Sequence, residues 1–272
     1  MLEQIQQTAQ YIQSKIQSFQ PTVGIILGSG LGGLVKEMEV KYTIPYSEIP
    51  HFPQSTVQGH KGQLIIGYLA EKPVLAMQGR FHYYEGYDMK QITFPVRVMK
   101  QLGIEKLIVS NAAGGMNPEF QIGELMIIKD HINFFPSNPL IGKNYDELGP
   151  RFLDMSEAYC KEYRDLAKQI AEKHNIRVKE GVYMGVSGPC FETPAEYRCF
   201  WRMGADAVGM STVPEVIVAR HGGMKVFGMS IITDLGIEGH IENVSHEEVL
   251  KVATAQEPKM SLIVKELVRI IG

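Results

Sequence analysis

The chain has 272 residues, 44% hydrophobic and 21% charged, with a formal net charge of −3. Such a composition suits a soluble chain able to bury a sizeable core, and it offers no basic footprint for nucleic acid or an anionic membrane. Three cysteines, an odd number without a CxxC pair, argue against a disulfide framework and for a reducing cytoplasm.

Residues 2–19 place Leu2, Ile5, Ala9, Ile12, Ile16 and Phe19 at a helical period. This glutamine-rich start has no basic n-region and no apolar h-region, so no signal peptide is expected. Ile16 to Val35 carries no charge, but Gln17, Ser18, Gln20, Pro21 and several glycines interrupt it and exclude a spanning helix. Val23–Leu27 is a β-branched-rich run that stops at glycine, as a buried strand would. Further strands are expected at Gln63–Leu69, Pro73–Met77, Lys106–Ser110, Leu125–Ile128, Val182–Val186, Ala205–Gly209 and Lys225–Ile232.

Helical patterns fall at 89–102, 157–174, 194–203, 213–221 and 246–270. Pro95 is expected to kink or break the first of these, whereas Pro194 and Pro214 sit where a first helical turn begins. Alternating strands and helices predict an α/β class with a mostly parallel or mixed sheet. The loop-rich stretch Phe134 to Pro150 is too short to divide domains, so residues 1–272 are expected to form one.

Chemistry-bearing residues cluster after the strands. Gly28-Ser29-Gly30-Leu31-Gly32-Gly33 formally matches GxGxxG, the dinucleotide fingerprint. The acidic residue that should follow would be Glu48, in a segment broken by Pro45, Pro50 and Pro53. The loop nevertheless offers backbone N–H groups and the Ser29 hydroxyl to an anion, although a tight structural turn would explain the glycines equally. Gly59-His60-Lys61-Gly62 precedes a strand and offers a histidine between glycines.

In Gln78-Gly79-Arg80-Phe81-His82-Tyr83-Tyr84-Glu85-Gly86, the residues Arg80, His82 and Tyr84 alternate and would share one face of an extended backbone. A cation, a titratable ring and a phenol on one face suit an oxyanion beside a polar organic group. Asn111-Ala112-Ala113-Gly114-Gly115 ends a strand with residues small enough for a planar ligand or a phosphate to lie against the backbone.

Phe191-Glu192 places an aromatic beside a carboxylate able to accept N–H bonds from a heterocycle edge. Met210-Ser211-Thr212 and Thr233-Asp234 follow two more strands, and His246 opens the last helix. The histidines show no HxxxH or HxH spacing, so no metal is expected. No GxSxG elbow supports a serine hydrolase, and Cys190 reads as a small packed residue.

The ordered set GSGLGGL at 28–34, GHKG at 59–62, QGRFHYYEGY at 78–87, NAAGG at 111–115, GPCFETPAE at 188–196, DAVGMSTVPEVIVARH at 206–221 and SHEEVL at 245–250 resembles the trimeric purine nucleoside phosphorylases. The match runs from about residue 20 to the C-terminus. The resemblance implies a central mixed sheet distorted towards a barrel and flanked by helices, with sites near the interfaces of a cytoplasmic homotrimer.

It also implies phosphorolysis of purine ribo- and deoxyribonucleosides to free base and sugar 1-phosphate, as in purine salvage, with phosphate as co-substrate and no cofactor. Phosphate would meet Ser29, His60, Arg80, His82, Ala112 and Ser211. Ribose would meet Tyr84, Met210 and His246, with Phe152 lent by a neighbouring subunit. The base would lie among Ala112, Phe191, Glu192, Thr233, Asp234 and Val249. His82, Glu192 and Asp234 would be the catalytic groups.

One position departs from the pattern. Phosphorylases of this family specific for 6-oxopurines usually carry asparagine where this chain has Asp234. An asparagine accepts N7–H and donates to O6 together, whereas an ionised aspartate only accepts. Asp234 is expected either to be protonated and act as a general acid to N7, or to accept from a 6-amino group. The implied substrates are inosine and guanosine, with adenosine accepted more readily than by an asparagine-bearing relative. The alternatives are a methylthioadenosine phosphorylase, an NAD(P)-binding oxidoreductase reading GxGxxG literally, and a nucleoside-binding protein without turnover.

Overall fold

Among the described residues, nine strands form one mixed sheet, in the order β2-β3-β4-β1-β5-β8-β7-β6-β9, and β9 returns to pair with β5. The computed structural model describes residues 1–29, 31–57, 61–237, 239, 241 and 244–272. The strands are β1 (Val23–Leu27), β2 (Glu39–Pro45), β3 (Gln63–Leu69), β4 (Lys72–Gln78), β5 (Lys106–Gly115), β6 (Leu125–Asn133), β7 (Val178–Gly185), β8 (Ala207–Gly209) and β9 (Lys225–Leu235). The helices are α1 (Leu2–Ile16), α2 (Met89–Gln101), α3 (Lys161–Lys173), α4 (Pro194–Arg202), α5 (Val213–His221) and α6 (His246–Ile271). None of those described is long and apolar enough to cross a membrane.

The closing β5–β9 pairing turns β5, β8, β7, β6 and β9 into a ring, while β1, β4, β3 and β2 extend from it as an open sheet. The fold is therefore α/β with a mixed, barrel-like sheet flanked by helices, as expected. β1 lies parallel to both β4 and β5, and β5 is parallel to β9.

All five residues of β1 are buried, which explains its unbroken apolar run: a strand covered on both faces has no side to present to water. Ile26 packs with Leu75, Met77, Leu107 and Val109 beneath α1, α2 and α5. Ile25 and Leu27 point the other way, to Ala76, Ile108 and Phe227 beneath α3 and α6.

Four expectations are corrected. α2 runs through Pro95 rather than ending there, because Ile92, Phe94, Val96, Val98 and Met99 are all buried along it. Asp88 also caps its start through Lys90 and Gln91, and together these outweigh a proline cost of about 3 kcal/mol. Second, the NAAGG run does not follow β5 but belongs to it. Its small residues pair with β9 on one side, and Gly114 and Gly115 pair with β8 on the other. Thr233 and Asp234 likewise lie within β9.

The third correction is β2, which sequence reading passed over. It is an edge strand with a bulge, largely exposed through Glu39, Val40 and Lys41, so it lacks the buried alternation that marks the others. Fourth, Arg80, His82 and Tyr84 are not on one extended run. β4 stops at Gln78, and a 3₁₀ turn takes over at Tyr83–Glu85.

Phe227, the third residue of β9, is fully buried. Phe227→Ala should destabilise the protein by about 3–5 kcal/mol, the usual cost of an emptied aromatic site. Urea unfolding measures this, and an unchanged midpoint would contradict the packing.

Candidate active site

The carboxyl ends of β1, β4, β5 and β9 run out at the same end of the sheet, where open α/β folds place ligands. There they enclose a cavity of about 470 Å³. Its lining includes Ser29 after β1, Arg80 and His82 after β4, and Ala112 in β5. Met210 and Ser211 enter from beyond β8, and Thr233 and Asp234 from β9. Tyr84, Phe191, Glu192, His246 and Val249, also expected from sequence, line it too.

Two expected residues are not among them. His60 lies outside the described residues. Phe152 is 90% exposed and borders a separate depression with Arg151, His131 and Ile141.

One part of the cavity is built around a buried cation. Arg80 is 1% exposed, and its Nε lies 3.2 Å from the Glu215 carboxylate, itself buried in the first turn of α5. Arg80 Nη1 donates to Ser211 Oγ at 2.8 Å, and Asn111 Nδ2 donates to Thr212 Oγ1 at 2.9 Å. Thr212 is β-branched yet sits at φ 71°, a backbone state costing about 1–3 kcal/mol that persists only where the surroundings enforce it. Here those hydrogen bonds and the start of α5 do so. A side chain at Gly28 would come within 2.7 Å of the Ser110 carbonyl, so glycine lets the loop after β1 close against β5.

His82 stacks on Tyr84 with ring centroids 4.7 Å apart, and its Nδ1 meets Glu85 Oε1 at 2.9 Å. A carboxylate can only accept, so the Nδ1 atom carries the proton. Burial pushes the His82 pKa down, and the Glu85 contact offsets part of that. Burial alone would raise the Glu85 pKa. Donors from His82 and from the Thr56 backbone and hydroxyl outweigh it and hold this carboxyl at about 2.

A second part of the cavity is acidic. Burial raises the Glu192 carboxyl to about 6, and the nearby Asp234 charge adds to the effect. Burial also raises Asp234, although Thr233 Oγ1 donates to its Oδ1 at 2.9 Å. Gly114 makes room for this side chain: a Cβ there would stand 2.8 Å from Asp234 Oδ2. Ser245 caps α6 in a reciprocal box with Glu248, so His246 and Val249, three residues apart, line the cavity from one helical face.

Residues 22–269 match the family model described as Phosphorylase superfamily. The chain belongs to the phosphorylase superfamily. Purine nucleoside phosphorylase 1 of Geobacillus stearothermophilus is 54% identical over 265 residues, covering 97% of this chain and 96% of the relative. That of Bacillus subtilis is 52% identical over 268 residues, covering 98% of each. A crystal structure of Schistosoma mansoni purine nucleoside phosphorylase in complex with adenosine superposes with a TM-score of 0.94 at 43% identity, covering 100% of this chain and 98% of that one.

Membership of this superfamily leaves the dinucleotide reading without support. β1 is followed by a 3₁₀ turn at Gly32–Glu37 and the antiparallel β2–β3 pair, not by a helix and a parallel strand, and Glu48 is exposed.

Sequence reasoning missed Thr56, Val57 and Glu85 in the lining, and Glu215 and Tyr197 behind it. Only Glu85 left a local signal, standing three residues after His82 where a turn brings them together. Glu215 and Tyr197 reach their partners through tertiary packing alone.

Because the Glu85 pKa is held below that of an ordinary carboxylate, its stabilising contribution is complete above about pH 4.5 and is lost as pH falls towards about 2. Glu85→Gln should therefore flatten the decline of unfolding free energy across that window. Denaturation midpoints measured at a series of acid pH values check this, and parallel curves for the two proteins would contradict it.

Proposed function

We propose that the protein is a purine nucleoside phosphorylase, transferring the pentosyl group of a purine nucleoside to inorganic phosphate. The observation that carries this is the composition of one cavity: a buried Arg80 with Ser211 and His82, and a carboxylate pair, Glu192 and Asp234, beside an aromatic. Phosphate would bind through Arg80, Ser211, Ser29, His60, the Ala112 N–H and the His82 ring. Ribose would meet Tyr84, Met210 and His246. The base would lie against Phe191 and Val249, with its polar edge on Glu192, Thr233 and Asp234.

The transition state of this reaction resembles an oxocarbenium ion. A phosphate oxygen forms its bond to C1′ while the C1′–N9 bond breaks and its electron pair enters the purine. A phosphate dianion fixed beneath C1′ supplies the nucleophile and stabilises the cationic sugar, so no covalent enzyme intermediate and no cofactor is needed.

Asp234 meets the charge that develops on the base. Protonated, it donates to N7 of a 6-oxopurine; ionised, it accepts from a 6-amino group. Ionised Glu192 accepts from N1–H of hypoxanthine or guanine and from the guanine 2-amino group. His246 suits a 5′-hydroxyl better than an apolar 5′-methylthio group, which favours this reading over a methylthioadenosine phosphorylase.

Phosphate-dependent release of free base from inosine, guanosine, adenosine and methylthioadenosine across pH is the direct test. Protonation of Glu192 removes its acceptor, so kcat/KM for inosine should fall below about pH 6. The adenosine-to-inosine ratio should rise with pH as Asp234 ionises, and Asp234→Asn should lower that ratio. No release of base with phosphate present rejects the reading.

The same reading takes the working form to be a cytoplasmic homotrimer serving purine salvage. The exposure of Phe152 and of Ile141, which borders the same depression, supports a neighbouring copy covering this face. Light scattering should give three times the 30.5 kDa of one chain. Phe152→Ala should raise the nucleoside KM more than the phosphate KM, and equal effects on both would remove Phe152 from the ribose pocket.

A further inference from the structure

Tyr197 does not line the cavity, yet it reaches the two carboxylates that do. It sits in α4, is 3% exposed, and its hydroxyl donates to Asp234 Oδ2 at 3.4 Å. The same hydroxyl also faces Glu192. The backbone around it is shaped to admit the ring. A Cβ at Gly236, just beyond β9, would run into the ring. A core tyrosine needs one partner for its hydroxyl, but it does not need two carboxylates.

We propose that Tyr197 is a positioning and specificity-determining residue, whose hydroxyl holds Asp234 in its ionised, 6-amino-accepting state and couples it to Glu192. This deepens the phosphorylase reading and rests on it. A phenol has one proton and can donate to one carboxylate at a time. When it donates to Asp234, Oδ2 gains a donor to match the Thr233 hydroxyl on Oδ1, and the charged form is favoured. An acid proton on Glu192 can then be given to the phenolic oxygen. The three groups therefore answer one another's protonation instead of titrating separately.

The other charged group close to the pair on α4 is Glu196, whose carboxylate caps Thr193. Across the cavity stand His246 on α6 and, nearer the cation, Tyr84, His82, Glu85 and Arg80. Among the described residues, no lysine or arginine other than Arg80 lines the cavity, so the carboxylate pair relies on hydrogen-bond donors, a backbone N–H and the Tyr197 hydroxyl at Glu192 and the Thr233 and Tyr197 hydroxyls at Asp234.

The test compares wild type, Tyr197→Phe, Asp234→Asn and the double variant, with inosine and adenosine as substrates and phosphate at saturation. Tyr197→Phe keeps the ring and removes one hydroxyl. It should lower the adenosine-to-inosine ratio of kcat/KM by about threefold or more, the worth of one modest hydrogen bond. It should also move the acid limb of the inosine profile upward by about half a pH unit or more, because the single phenolic proton that the two charged carboxylates share is gone. The phosphate KM should stay unchanged.

In the Asp234→Asn background the same change should leave the ratio unaltered, since no titrating group remains at that position. Tyr197→Met serves as a second hydroxyl-free variant should the phenylalanine form lose its fold in a thermal melt. An unchanged ratio and acid limb in the hydroxyl-free proteins, or an equal ratio change with and without Asp234→Asn, overturns the proposal. Wild type that releases no base overturns the phosphorylase reading instead, so the two failures are distinct.

Discussion

Arg80 is a cation folded inside the protein, and the candidate site depends on how its charge is answered. Removing a guanidinium from water costs several kcal/mol, and only a close anion with further acceptors makes that tolerable. Glu215 supplies the anion from the first turn of α5, and Ser211 supplies an acceptor from the segment before it. The strained Thr212 backbone joins the two, so one short stretch delivers both to an arginine 131 residues away from Ser211 in the chain. The arrangement also leaves Ser211, two residues before α5, lining the cavity beside Arg80.

Around this fixed cation the remaining groups divide by sign. The hydroxyls, amides and imidazole near Arg80 suit an incoming anion, and Glu85 holds the His82 ring by Nδ1. Glu192 and Asp234 stand where burial pushes both carboxyls up, with few cations to oppose it. Under the proposed reaction this asymmetry has a purpose. Negative charge must be concentrated on one side of the sugar and proton traffic arranged on the other.

Much of this was legible in the sequence. β1, Leu64–Ile66 of β3 and Leu107–Val109 of β5 are continuous apolar runs because both faces of the sheet are covered. α4 and α5 announce themselves through Pro194 and Pro214 in their first turns. Other features were hidden for identifiable reasons. β2 is a solvated edge whose stability comes from pairing with β3, and Pro95 is overruled by the core beneath α2. Thr233 and Asp234 looked like a strand end because no local signal tells a strand that continues into a barrel from one that stops.

The sequence by itself determined the α/β class, the family and the motifs that supply much of the cavity lining, because each is carried by a short run whose chemistry is local. Only the tertiary structure decided which side chains stand behind those residues: Glu215 against Arg80, Glu85 beneath His82, Tyr197 against Asp234. Contacts that set charge and protonation are made across elements far apart in the chain, and distance through space is the quantity a linear pattern does not contain.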